Sequence, residues 1–131
     1  MTCLDTDFVI SLFRGEKNTV IKLRELEDSQ KTLYITTASV AELLKGAYNS
    51  KQYEKEISRI MMFLESVDVL DFDIKSAHLF AKIWYDLKKS GRMIDEFDIL
   101  VASTVHSNDE TLLTKGIKHF EKISALKIDT W

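Results

Sequence analysis

The sequence predicts an α/β fold, a three-layer α/β/α sandwich with a mostly parallel central sheet. Short apolar runs too brief for helices alternate with longer segments of helical period. Parallel strands need crossover connections, and those helical segments supply them. The length of 131 residues suits one core burying roughly two-thirds of the unfolded surface, so residues 1–131 are read as a single domain.

The first strand is expected at Thr2 to Leu4 and the second at Thr32 to Thr36, a stretch rich in β-branched and aromatic residues. Ser66 to Leu70, Thr111 to Thr114 and Leu126 to Ile128 complete the set. Helical spacing joins Phe8, Val9, Leu12 and Phe13, then Val20, Leu23 and Leu26. It recurs at Ile74, Ala77, Ala81 and Trp84, and at Ile99, Ala102 and His106. The glycines at 15, 46, 91 and 116 are expected where helices stop or connections run.

Composition excludes several classes. With 45% apolar and 30% charged residues, extended disorder is ruled out. The single Cys3 forms no internal disulfide or zinc cage, which fits a reducing compartment and a small buried side chain. No run approaches the roughly eighteen apolar residues that span a bilayer, and Asp5 and Asp7 interrupt any signal-peptide core. No membrane partner and a cytoplasmic location are therefore expected. A net charge of −3 gives no global footprint for nucleic acid, so phosphates must meet local cations or metal ions. The chain carries no Gly-rich phosphate loop of a motor or dehydrogenase. His78, His106 and His119 lack metal-ligand spacing, and the first two read as helix-face residues.

In open parallel sheets, ligands bind beyond the carboxyl ends of the strands. Asp5 closes the first strand with Asp7 beside it, Glu42 lies one turn into the helix after the second, and Asp95, Glu96 and Asp98 open the helix before the fourth. Each has a plain structural explanation. Ser39 and Glu42 have capping-box spacing, and Asp5, Asp7, Asp95, Glu96 and Asp98 suit helix N-termini. Capping, however, does not require acids from three segments to meet at one rim. A hard divalent cation does need oxygen ligands from different parts of a fold, which points to Mg²⁺ or Mn²⁺.

Four blocks carry a resemblance along nearly the whole chain: Leu4-Asp5-Thr6-Asp7, Ser39 to Gly46, Gly91 to Ile94 followed by Phe97 to Ala102, and Leu112-Leu113-Thr114 with His119-Phe120. In this order and spacing the sequence resembles the PIN-domain ribonucleases, and among them the VapC-like toxins of toxin-antitoxin pairs. The resemblance implies that Asp5, Glu42 and Asp98 hold the catalytic metal. Position 7 is commonly asparagine in that family, and here Asp7 adds a supporting charge or caps the helix. The family's further acid or asparagine after the fourth strand is Gly116 here, so a second ion would be held less firmly.

Thr6 and Thr114, at the strand tips, suit the bonding of a metal-bound water or the orientation of a ligand carboxylate, and equally the capping of turns. Lys88, Lys89, Arg92, Lys115 and Lys118 are the candidates for positioning an RNA backbone, and no aromatic ladder for bases is evident. Ile60, Met61, Met62, Phe63 and Leu64 are more apolar than one helix face requires. Met61 and Leu64 are expected toward the core, and Met62 and Phe63 toward a partner. The resemblance implies a homodimer and a groove for an antitoxin protein.

Three functional readings follow. The first is a magnesium-dependent endoribonuclease serving as the toxin of a two-protein system. The second is a catalytically weakened PIN-fold binding module, because Gly116 stands where an acid is expected. The third is a phosphatase with an aspartate nucleophile, drawn from Asp5-Thr6-Asp7.

Overall fold

A computed structural model describes all 131 residues. The chain runs β1 (Thr2–Leu4), α1 (Thr6–Phe13), α2 (Lys17–Asp28), β2 (Leu33–Thr36), α3 (Thr37–Tyr48), α4 (Tyr53–Leu64), β3 (Asp68–Leu70), α5 (Ile74–Ser90), α6 (Glu96–Ser107), β4 (Thr111–Leu113), α7 (Ile117–Phe120) and β5 (Lys127–Asp129). The five strands form one sheet in the order β3-β2-β1-β4-β5, and every pairing is parallel. The expected α/β/α architecture is therefore present.

Alternation along the strands builds the layers. Cys3 and Leu112, paired in register, face one core with Ile83 and Leu87 of α5, Val101 and Val105 of α6, and Phe120 of α7. Their neighbours Leu4 and Leu113 face the opposite core with Phe8 of α1, Leu26 of α2, Leu43 of α3 and Ile60 of α4. Central strands buried on both faces read as the continuous apolar runs seen in the sequence. Cys3 is fully buried, and burial pushes its thiol well above the ordinary range, which makes it a packing residue.

Several expectations need correction. β2 starts at Leu33, β3 at Asp68, and β5 lies one residue further along than expected. Gly91 does end α5, in a left-handed conformation with φ of 68°. Gly46 instead lies inside α3, where the helix continues through it to Tyr48. On α4, Ile60 is buried and Phe63 and Leu64 pack on the core, while Met61 and Met62 are 52% and 73% exposed. Met61 and Phe63 have thus exchanged the roles expected of them. Phe13 explains this for Phe63, since the two rings meet edge to face at 5.7 Å.

Candidate metal centre at the carboxyl edge of the sheet

Because every strand is parallel, the carboxyl ends of β1, β2 and β4 share one edge. The helices that start from that edge deliver the acids. Asp5 ends β1 and caps α1, its Oδ1 accepting from the Thr6 N–H at 2.8 Å. Its Oδ2 accepts from the Thr114 hydroxyl at the tip of β4, at 2.7 Å, and both groups are buried. Glu42 stands on α3, and its Oε1 accepts from the Thr6 hydroxyl at 2.8 Å. Asp98 stands in the first turn of α6, with Oδ2 3.3 Å from His119 Nδ1. Thr6, at the start of α1, therefore holds Glu42, and Thr114, just beyond β4, holds Asp5 while its hydroxyl oxygen also accepts from the Gly116 N–H.

Asp5, Asp7, Glu42 and Asp98 line one cleft of about 360 Å³ together with Thr6, Ile10, Gly116, His119 and Phe120. The capping-box reading of Glu42 fails. Thr36 is the N-cap of α3 and accepts from the Ser39 N–H at 3.1 Å, leaving Glu42 to turn into the cleft. Asp95 and Glu96 do not line it; Asp95 caps α6 by accepting from the Phe97 N–H at 2.8 Å. Asp7 does line it, with Oδ2 accepting from the Lys115 N–H at 3.3 Å.

The electrostatics are those of crowded like charges. Burial, and then the charge of Asp7, pushes the Asp5 carboxyl up to about 7 against the bonds from Thr114 and Thr6. Burial also raises Asp7, and it raises Asp98 although His119 pulls the other way. Asp7 Oδ1 is buried with no hydrogen-bond partner. As the side chains stand, no group of three or more His, Cys, Asp or Glu residues is close enough together to hold an ion. The four acids instead line an open cleft, whose carboxylate oxygens, one of them buried and unpartnered, fit a hard divalent cation.

None of the expected RNA-contacting cations lines the cleft. Lys88 lies over the Trp84 ring at 4.9 Å. Lys115 lies over Trp131 at 4.8 Å and donates to the Trp131 backbone oxygen. Lys89, Arg92 and Lys118 are exposed. His119 is the cleft residue that sequence spacing missed. It contacts Asp98 across 21 positions, so only its place shortly after the β4 tip marked it.

The fold and this acidic edge together define a class, and comparison with known proteins agrees. The PIN domain family model matches residues 2–126. The chain belongs to the PIN domain family, and within it groups with the proteins named VapC. Ribonuclease VapC2 of Haemophilus influenzae is 30% identical over 128 residues, covering 98% of this chain and 96% of its own length. The tRNA(fMet)-specific endonuclease VapC of Shigella flexneri is 27% identical with the same coverage. Among solved structures, VapBC2 of Rickettsia felis bound to a DNA fragment from its promoter superimposes with a TM-score of 0.91 at 27% identity. That match covers 99% of this chain and 98% of the other.

Proposed function

We propose that this protein is a magnesium-dependent endoribonuclease, the cytoplasmic toxin of a toxin-antitoxin pair, acting as a homodimer that a cognate antitoxin restrains. The observation that carries this reading is the meeting of Asp5, Glu42 and Asp98, from three separate segments, in one cleft at the carboxyl edge of the sheet. The activities for which the Haemophilus and Shigella relatives are named support a nuclease, and the Rickettsia VapBC2 assembly supports an antitoxin partner. No helix of the chain is long and apolar enough to cross a membrane.

Asp5, Glu42 and Asp98 are the residues that would hold Mg²⁺ or Mn²⁺. Such an ion neutralises charge growing on the phosphodiester and lowers the pKa of nearby water. The protein's own contribution is orientation. Thr114 fixes one oxygen of Asp5, Thr6 fixes one of Glu42, and His119 borders Asp98, so each carboxylate has a defined outer partner. Asp7 adds a further negative charge in the cleft. Lys89, Arg92 and Lys118, all exposed, are left to meet the RNA backbone.

The test is cleavage of RNA by the purified protein in magnesium, its arrest by chelator, and its loss in Asp5→Asn and in Asp98→Asn. Undiminished cleavage in both variants contradicts the proposal. One observation favours the weakened binding module as a second reading: the cleft carries no side chain at Gly116. A Cβ there would lie 3.3 Å from Thr114 Oγ1 and 3.5 Å from the Phe120 ring, a tight fit that small adjustments can absorb. Gain of cleavage in Gly116→Asp supports a weakened enzyme, and absence of any gain counts against a weakening at that position.

A further inference from the structure

We propose that the face of α3 beyond Glu42 is a stacking subsite for a base of single-stranded RNA, with Tyr48 as its platform and Lys45 as its phosphate contact. The inference deepens the ribonuclease reading and rests on it. Glu42, Lys45, Gly46 and Asn49 recur at helical spacing and, with Tyr48, line an open cavity of about 480 Å³. Glu42 also lines the acidic cleft, so the two concavities lie to either side of that residue. At about 1.5 Å of rise per residue, Tyr48 sits roughly 9 Å along the helix axis from Glu42.

Three features suit this surface to a nucleotide next to the reacting phosphate. Tyr48 is 67% exposed as a residue, and Tyr53 braces its ring in a stacked arrangement with centroids 5.9 Å apart and planes 22° apart. A rigid aromatic face held in water is what a base of any identity stacks upon. A Cβ at Gly46 would meet nothing within 4 Å, so the floor between Glu42 and Tyr48 is bare backbone, open to an approaching chain. Lys45 forms no ion pair with a carboxylate, and its ammonium lies 6.0 Å from the ring of Phe97, the neighbour of Asp98. A cation unclaimed by acids beside an acidic cleft complements a phosphate that must approach it.

The experiment uses the full chain and an oligoribonucleotide carrying 2-aminopurine. Binding is read by fluorescence quenching in calcium, cleavage in magnesium, and oligomeric state by sedimentation. Tyr48→Ala is expected to weaken binding and raise KM by roughly 5- to 150-fold with little change in kcat. Tyr48→Phe, which keeps the ring, should restore both. Tyr85→Ala, removing an aromatic that is 54% exposed on α5, should change neither. Wild-type affinity in Tyr48→Ala, with cleavage by the wild type intact, overturns the subsite alone. Loss of RNA binding that tracks dissociation of a dimer overturns it in favour of a contact between copies. Absence of any RNA cleavage by the wild type overturns the ribonuclease reading and the subsite with it.

Discussion

Replacing Asp5 by asparagine, with a chelator present, is expected to stabilise the protein at neutral and alkaline pH. Burial and the neighbouring Asp7 lift the folded carboxyl from 3.8 to about 7. The folded state therefore binds more protons than the unfolded state between those values, and stability falls as pH rises through that window. Below about pH 4 no stability is lost, and above about pH 7 the loss is complete. A tenfold change in proton affinity corresponds to about 1.36 kcal/mol, which places the cost of ionising Asp5 at about 4 kcal/mol, with the acids beside it sharing the effect. Asparagine caps a helix about as well as aspartate, so Asp5→Asn removes the charge and keeps an oxygen for the Thr6 N–H, while its amide NH2 takes the place of Oδ2 and must donate to the Thr114 hydroxyl oxygen instead of accepting from it. Urea denaturation followed by circular dichroism at pH 5 and pH 8 measures the effect. Subtracting wild type from variant cancels the titrating groups remote from Asp5, while the response of Asp7 to the lost charge stays in the difference. The variant should be the more stable at pH 8, by about that amount, with the gap narrowing at pH 5. An equal gap at both values, or a less stable variant at pH 8, would refute the reasoning.

Other substitutions test the supports of the site and the free face of α4. Thr114→Val removes the hydroxyl that donates to Asp5 and accepts from the Gly116 N–H, and should cost about 1–3 kcal/mol in urea denaturation. Thr6→Ala releases Glu42 and should weaken Mn²⁺ binding by roughly 10-fold in calorimetry, with folding stability changed far less. Met62→Lys, at a side chain 73% exposed, should leave the stability of the isolated chain within about 0.5 kcal/mol. If α4 meets a partner, the same variant should lower association measured by sedimentation.

The strands were legible because each is a short apolar run and most are followed by helices long enough to cross over, the exception being the four-residue α7 between β4 and β5. Their edges were less so: Thr32 and Ser66 read as strand but precede the paired residues Leu33 and Asp68. Position relative to strand ends pointed to the acids at 5, 7, 42, 95, 96 and 98, since a parallel sheet brings all such ends to one side, and only the family resemblance narrowed them to Asp5, Glu42 and Asp98. The role of Glu42 was not legible, because Thr36 and Ser39 compete for the same cap and only the helix start decides between them. His119 and the Tyr48–Tyr53 stack stayed hidden for another reason. The first depends on a contact across 21 positions, and the second on the turn between α3 and α4 folding one ring onto another. Lys115 reads as a free surface cation, yet Trp131 takes it up. Charge alone therefore did not reveal which lysines stay available.

The most direct measurement is the anomalous scattering of Mn²⁺ in a crystal of the full chain. A peak is expected in the cleft with ligand oxygens from Asp5, Glu42 and Asp98, at distances suited to a hard cation, and its loss is expected in Asp98→Asn. Manganese found only elsewhere on the surface, or a cleft peak undiminished in that variant, would contradict a metal centre built from these three acids.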